Sequence, residues 1–271
     1  MRFSTLALTA LLAAAAAASS NAATIISDNF DGYADQAAFV ASWPLTGTSN
    51  TLTSAQSVSA PNSVQQDAGA TTLNIKTFSA STATDLVATN ANPVEWSFMF
   101  YDDPSNLPVA GNTLGRSYGQ LQGRLQTDGS LSQVISMGLW NANIPKASNG
   151  VTSTTAELRQ YYAARVAFIG PNWVLLDTGP VRSAGWHELK ATIGDTTVQF
   201  SVDGIPAATY NYAAAAGVTG FYNARIGSGV SSSALVAYDN YNLVQVPEPS
   251  TLALIALGVC GVAPRGRRRP R

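Results

Sequence analysis

Short segments in which apolar and polar residues alternate recur between residues 24 and 246, separated by turn residues. From Val94 to Tyr101 every second residue is valine, tryptophan or phenylalanine. Leu189–Ile193 and Val198–Val202 alternate in the same way. A period of two is typical of a strand that buries one face in a core. The pattern predicts about a dozen such strands.

Two Asp-Gly pairs lie between alternating segments and predict tight turns. Asp203-Gly204 separates two alternating segments, and Asp128-Gly129 lies between residues 118–127 and 131–140. Both residue types tolerate the positive φ of a tight turn, so each pair predicts an antiparallel hairpin. The one helix candidate, residues 154–162, is either a short helix or a turn, and residues 141–153 form the longest predicted loop. Many strands with few helices predict one all-β antiparallel sandwich or barrel over residues 24–246.

The first 23 residues differ from the rest of the chain. Arg2 precedes an uncharged stretch from Thr5 to Ala18, and Ser20-Asn21-Ala22 follows with small residues at the cleavage positions. A basic start, an apolar stretch and a small-residue site define a secretory signal. We therefore expect export and removal of the signal peptide, residues 1–23, by signal peptidase, with cleavage after Ala22 or Ala23.

The last 25 residues also stand apart. Pro247-Glu248-Pro249 precedes an uncharged run of 12 residues, 252–263, and an arginine-rich end. As a helix this run is about 18 Å long, short against a bilayer core of about 30 Å. Arginine clusters stay on the cytoplasmic side of a membrane. We therefore predict a short apolar helix that holds the exported chain transiently in the inner membrane, with these arginines inside: Arg265, Arg267, Arg268, Arg269 and Arg271.

Residues 247–271 resemble the PEP-CTERM sorting signal, because the motif, the apolar segment and the arginine cluster occur in that order. The resemblance implies that a membrane enzyme, exosortase, recognises Pro247, Glu248 and Pro249. It further implies removal of this tail and delivery to the cell surface or the extracellular polysaccharide matrix. The apolar segment is shorter than is usual in the family. The sorting residues implied beside the motif are Arg265, Arg267, Arg268 and Arg269.

Charge and cysteine content exclude several classes of function for the central region. Residues 24–246 contain nine lysines and arginines against fifteen aspartates and glutamates. No basic stripe is left to neutralise phosphates, so we expect no nucleic-acid partner. The single cysteine, Cys260, lies in the tail, which excludes disulfides, cysteine-based zinc sites and a cysteine nucleophile from this region.

The central region resembles the laminin-G/concanavalin-like jelly roll in three short patches. These are Trp186–Ile193 with the following strand up to Asp203-Gly204, the segment around Asp28–Asp31, and Tyr238–Tyr241. The resemblance implies an antiparallel β-sandwich whose first and last strands pair. If they do, Asp28 and Asp31 can meet Asp239, where related sandwiches often hold a structural calcium. Calcium takes six to eight oxygen ligands; the alternative is that these acids cap turns or face solvent.

No catalytic pattern is evident. Glycoside hydrolases need two carboxyl groups about 5–10 Å apart, whereas Glu95 and Asp103, on one predicted strand, would lie roughly 26 Å apart. Asp102 is the third acid of this strand, and the alternate residues Ser97, Met99 and Tyr101 are not acids. His187, the only histidine, lies at the start of a predicted strand, and no Gly-x-Ser-x-Gly motif accompanies it. We therefore expect a protein that is not an enzyme.

Two tryptophans are the candidate ligand-binding residues. Trp140 precedes the 141–153 loop and Trp173 follows Gly170-Pro171-Asn172, so both are expected to line a rim on which sugars stack. The favoured hypothesis is a non-catalytic, lectin-like module that binds extracellular polysaccharide. One alternative is a structural matrix or coat protein without a specific ligand. The other, a glycoside hydrolase, is disfavoured by the missing carboxylate pair.

Overall fold

The computed structural model describes residues 22–107, 114–166, 173–211 and 218–247. The proposed apolar tail helix, the arginine cluster, Glu248, Pro249 and nearly all of the signal segment lie outside the described residues. Within them are fifteen strands and two short α-helices. In chain order these are β1 Ala23–Asp28, α1 Gln36–Ser42, β2 Thr51–Thr53, β3 Ser63–Gln66, β4 Asn74–Thr77, β5 Leu86–Val87, β6 Val94–Asp102, β7 Ser117–Leu125, β8 Leu131–Leu139, α2 Thr155–Leu158, β9 Ala163–Val166, β10 Val174–Leu175, β11 Gly185–Ile193, β12 Thr197–Val202, β13 Ile205–Asn211, β14 Thr219–Ile226 and β15 Val236–Gln245.

The strands form two antiparallel sheets with one large core between them. The first sheet has the order β13-β12-β11-β6-β15-β3-β2, with β1 also paired to β15. The second has the order β10-β9-β8-β7-β14-β4, with β5 also paired to β14. The predicted fold class, an all-β antiparallel sandwich, is therefore confirmed.

Strand β6 shows how the alternating pattern makes this core. Val94, Trp96, Phe98 and Phe100 are each at most 1% exposed, while the residues between them are half-buried on the opposite face. Full burial of such a side chain contributes about 1.5–3 kcal/mol. The strand lies between β11 and β15 in the first sheet. Its apolar side chains belong to the main core between the two sheets.

The first and last strands pair as expected. Strand β1 runs antiparallel to β15, from Ala23 opposite Gln245 to Asp28 opposite Tyr241. On its other edge β15 pairs with β6. The two ends of the domain therefore lie beside each other in the middle of the first sheet.

Both predicted Asp-Gly hairpins are present. Asp203 and Gly204 have φ values of 51° and 73° and join β12 to β13. Gly129, with φ of 72°, lies in the connection from β7 to β8. The Asp203 carboxylate also accepts a hydrogen bond from the backbone N–H of Glu188 at 2.8 Å, which ties the turn to β11.

One of the two helices lies in the predicted segment. Residues 154–162, predicted as either a short helix or a turn, contain the short helix α2, which begins at a capping box formed by Thr154 and Glu157. Helix α1 was not predicted. Its N-terminal signal is Asp35, whose carboxylate accepts a hydrogen bond from the backbone N–H of Ala38 at 2.8 Å. Phe39 fastens this helix to the core.

Candidate ligand-binding site

Asp28, one of the three predicted calcium ligands, belongs to a polar network inside the sandwich. Its Oδ2 accepts hydrogen bonds from the Tyr33 hydroxyl at 2.6 Å, the Trp43 indole at 2.8 Å and the Lys76 ammonium at 3.1 Å. Its Oδ1 accepts one from the backbone N–H of Phe30. Burial alone would raise the pKa of Asp28, but these donors and the Lys76 charge outweigh burial and lower it.

The other two aspartates lie near each other and have hydrogen-bond donors of their own. Asp239 is fully buried and accepts hydrogen bonds from the backbone N–H groups of Val58 at 2.8 Å and Ser59 at 3.3 Å. Asp31 accepts one from the backbone N–H of Asn62 at 2.9 Å. Burial raises the pKa of Asp239, and the negative charge of Asp31 adds to this effect. Both carboxylates fasten the 58–62 loop to the sandwich.

The predicted calcium site is therefore not assembled as expected. Asp28 faces the Tyr33 and Trp43 side chains, so it does not join Asp31 and Asp239 in one ligand set. Across the described ranges there is no group of three or more histidine, cysteine, aspartate or glutamate side chains able to hold a metal ion. The acids act as hydrogen-bond acceptors for loops, which was the alternative interpretation.

The acids considered for glycoside hydrolysis have separate partners. Glu95 forms an ion pair with Lys190 at 2.8 Å, and Asp102 forms a buried ion pair with Arg182. Asp103 caps a turn by accepting a hydrogen bond from the backbone of the residue two positions later. His187 contacts Asp203 at 2.7 Å beside the β12–β13 hairpin.

Trp140 and Trp173 stack on each other on the outer face of the second sheet. Their ring centroids are 4.3 Å apart with an interplanar angle of 19°, and the Tyr118 ring lies 5.0 Å from Trp173. Trp173 is only 5% exposed, so the expectation that its ring offers an open stacking face is not met. Trp140 is half-buried, with the Arg116 guanidinium 5.1 Å from its ring centre.

These aromatic rings belong to a second, smaller apolar cluster outside the main core. The small exposed part of Trp173 borders a cleft of about 600 Å³ that Lys146 and Tyr210 also line. The cluster covers one end of the outer face of the second sheet. Its buried members are Tyr118, Ile144, Leu158, Ala163, Trp173 and Leu175.

The rest of that outer face is polar, as strand alternation requires. Leu121 in β7 and Ile135 and Met137 in β8 point into the main core. Their neighbours Gln120 and Ser136 therefore lie on the opposite face. This face is formed by strands β14, β7, β8 and β9, which are adjacent in the second sheet.

Four polar residues occupy one cross-strand row on this face. Arg225 is paired with Gln120, Gln120 with Ser136, and Ser136 with Arg165. Neighbouring strands are about 4.8 Å apart, so the row spans about 14 Å. Gln120 and Ser136 form its buried floor, and the two arginines are half-buried at its ends. We call these four residues the polar row.

A second set of polar side chains extends the row toward the other end of the sheet. The Gln122 amide oxygen accepts hydrogen bonds from Asn223 at 3.2 Å and from the Tyr222 hydroxyl at 3.4 Å. The Arg225 Nε donates to the Asn223 amide oxygen at 3.3 Å. The Tyr222 ring centre lies 4.6 Å from the Arg124 guanidinium. The polar row and these neighbours together form the polar face.

The charged groups of the polar row are Arg165 and Arg225, and both are partly removed from water. Burial is the main effect on Arg165 and Arg225 and lowers the pKa of both. Tyr118 lies close enough for both arginines to influence its pKa, which burial raises. Ser136 Oγ is buried and has no hydrogen-bond partner in the parts of the chain that the structure describes. Such a surface can hold an oxygen-rich or anionic ligand.

The sequence analysis did not identify the polar face. A signal is present, since Gln120, Gln122 and Arg124 alternate with apolar residues and glycine in one strand, and Asn223 and Arg225 alternate in another. Only the register between the strands shows that these residues share a row.

Three of the solved structures that match this chain show how widely its fold occurs. A carbohydrate esterase from Shiga toxin-encoding bacteriophage phi24B is 11% identical, with a TM-score of 0.51, and the alignment covers 84% of this chain and all of that one. A Bacillus subtilis protein of unknown function with a galectin-like fold is 12% identical, with a TM-score of 0.43, and the alignment covers 83% of this chain and 97% of that one. A sialidase is 11% identical, with a TM-score of 0.44 and 82% of this chain covered, and the chain spans 18% of its length.

Curated protein sequences contain no significant match to this chain. No helix in the described part of the chain is long and apolar enough to cross a membrane. Residues 245–269 match the family model described as the PEP-CTERM protein-sorting motif. The chain therefore carries a PEP-CTERM protein-sorting motif behind a two-sheet β-sandwich, and this motif marks it as an exported protein that exosortase sorts.

Proposed function

We propose that this protein is a lectin-like module that binds extracellular polysaccharide through the polar face of its second sheet. The observation that carries the proposal is the polar row, in which amide, hydroxyl and guanidinium groups are aligned by strand pairing. In this proposal, residues 1–23 are removed as a signal peptide, residues 24–246 form the binding domain, and exosortase removes residues 247–271. The mature domain then acts at the cell surface or in the matrix.

The chemistry of the polar face suits a sugar chain. Polysaccharides present many hydroxyl groups, which exchange hydrogen bonds with amides and guanidinium groups. Binding sites commonly combine an apolar wall with a few fixed polar groups. Here the half-buried Trp140, which stacks on the buried Trp173, supplies the apolar wall, and the adjoining strands fix the polar groups. Because the sheet already holds these groups in place, less entropy is lost on binding.

The test is binding of the exported, purified protein to a panel of glycans and to the matrix polysaccharide of the producing cell. We expect saturable binding that Tyr222→Ala weakens at least tenfold, because this half-buried tyrosine lies on the polar face. Tyr101→Ala is the matched control, since Tyr101 is half-buried on the outer face of the first sheet, against Trp186.

Two results would contradict the proposal. One is the absence of saturable binding to any glycan, which would favour a structural matrix protein without a specific ligand. The other is equal loss of binding in the Tyr222 and Tyr101 variants, which would place the binding surface elsewhere. Repeating the titration with calcium and with a chelator examines whether a metal ion contributes.

A further inference from the structure

We infer that the ligand of the polar face is an acidic polysaccharide, whose sugar carboxylates bind Arg225 and Arg165 at the two ends of the polar row. This inference rests on the proposed function and adds the charge class of the ligand. The two arginines are separated by the width of three strand spacings, about 14 Å. A chain of several sugar rings, with a carboxylate on more than one of them, matches such an arrangement.

The partners of two other arginines, the half-buried Arg124 and the buried Arg182, support the inference. Arg124 donates two hydrogen bonds of 2.8 Å to Asp85, and Arg182 donates two to Asp102. A guanidinium group taken out of water requires such an anionic partner, because burying an unpaired charge costs several kcal/mol. In both of these cases the fold itself supplies the carboxylate that pairs with the guanidinium group.

Arg225 differs from these two arginines in the kind of group that it contacts. The side-chain hydrogen bond described for it joins its Nε to the neutral amide of Asn223 at 3.3 Å. Burial lowers the pKa of Arg225, and the groups that act in the opposite direction are Tyr222 and Tyr118. Its guanidinium therefore has donors left for a ligand carboxylate, which fits its planar fork with two parallel bonds.

The surroundings of the polar row concentrate positive charge at one place on an acidic domain. Arg116, Arg165 and Arg225 all influence the pKa of the Tyr118 hydroxyl, so the three charges lie around one ring. Between residues 24 and 246 acidic residues outnumber basic ones, fifteen to nine. A positive face on such a domain does not follow from composition, and it attracts anions locally while the rest of the surface repels them.

The experiment measures affinity of the exported protein for polygalacturonate, for a neutral galactan and for dextran sulfate, without calcium and at two salt concentrations. We expect polygalacturonate to bind at least tenfold more tightly than the galactan, and added salt to weaken that binding. Arg225→Gln should reduce affinity for polygalacturonate at least tenfold and affect the galactan less. Arg225→Lys should fall between the two, because lysine keeps the charge and loses the fork.

The control is Lys190→Gln, which removes one positive charge from the outer face of the first sheet. It should leave polygalacturonate binding within twofold of the wild type. Thermal melting of every variant verifies folding. If Arg225→Gln unfolds, Arg225→Lys still tests the role of the guanidinium group.

The possible failures are distinguishable. If the galactan binds saturably and polygalacturonate binds no more tightly, the inference of an acidic ligand is wrong and the proposed function stands. If dextran sulfate binds and polygalacturonate does not, the carboxylate assignment is overturned. If Lys190→Gln reduces affinity for polygalacturonate as much as Arg225→Gln does, the attraction is not specific to the polar row, and the inference is overturned. If no polysaccharide binds, the proposed function and the inference fail together.

Discussion

The Arg182 guanidinium donates two hydrogen bonds to the Asp102 carboxylate, with distances of 2.8 Å from Nε to Oδ2 and 2.9 Å from Nη2 to Oδ1. The Arg182 side chain is 2% exposed and the Asp102 side chain is fully buried. The Tyr162 ring lies beside the guanidinium, 5.6 Å away. This pair fastens the segment that precedes β11 to the end of β6.

Replacing one partner of this pair should be costly. We expect Arg182→Met to lower the free energy of unfolding by about 3–5 kcal/mol, because it leaves the Asp102 charge buried and unpaired. The double variant Arg182→Met/Asp102→Leu should lose less unfolding free energy than Arg182→Met alone, since it removes both charges. Urea denaturation followed by fluorescence measures the difference. A single variant within 1 kcal/mol of the wild type would contradict the prediction.

Asp28 should contribute to stability in a pH-dependent way. Its pKa is held below the ordinary value, so its contribution is present above pH about 4 and is lost as pH falls through the folded-state pKa. Asp28→Asn should therefore destabilise the protein at pH 7 by about 2 kcal/mol, for the loss of charged hydrogen bonds. The gap between wild type and variant should narrow between pH 5 and pH 2, as measured by urea denaturation. If the difference in unfolding free energy between wild type and Asp28→Asn stays constant with pH, the Asp28 carboxylate does not contribute to stability through its charge.

Gly138 should resist substitution because of its backbone and its surroundings. It has φ of 150°, and a side chain there would press on the carbonyl oxygen of Ser117 in the neighbouring strand. We expect Gly138→Ala to destabilise the protein by about 2–4 kcal/mol, from strain and overpacking together. Gly32→Ala, where the added carbon meets nothing within 4 Å, is the control and should change stability by less than about 0.5 kcal/mol. Similar melting temperatures for both variants would refute the prediction.

The sorting motif predicts a change in processing. Replacing Pro247, Glu248 and Pro249 together with alanine should prevent removal of the tail and leave the protein in the membrane fraction. Mass spectrometry of the exported protein and cell fractionation measure this outcome. Ser250→Ala is the control. Normal release of the triple variant would show that the motif is not the recognition element in this chain.

Local patterns in the sequence were sufficient for much of the fold. The period of two in Val94–Tyr101 predicts β6 because a half-buried strand needs only its own sequence to show alternation. Asp203-Gly204 predicts its hairpin because the turn's backbone angles favour those two residues. Helix α1 was missed because it is short, and its cap at Asp35 was not recognised.

The site was harder to predict because it depends on register. Arg225 and Arg165 are 60 positions apart in the chain, and only three successive strand pairings bring them into one row. Asp28 was a candidate calcium ligand because the pairing of the first and last strands was expected to bring it to Asp239. Sequence spacing does not reveal its actual partners, Tyr33 and Lys76. Trp173 was expected at a rim because it follows Gly170-Pro171-Asn172. Its burial results from contacts with Trp140 and Tyr118, which the sequence does not show.

The position of β15 determines how the domain would carry a pulling force. The chain passes directly from this strand into the sorting segment, and β15 is paired with β6 along its length through eight residue pairs. Strand β1 covers part of its other edge. A load applied through the C-terminal side, while the opposite sheet is held by matrix, therefore acts along a central strand. Its hydrogen bonds would have to be sheared together rather than peeled open one by one, which makes this attachment point mechanically resistant.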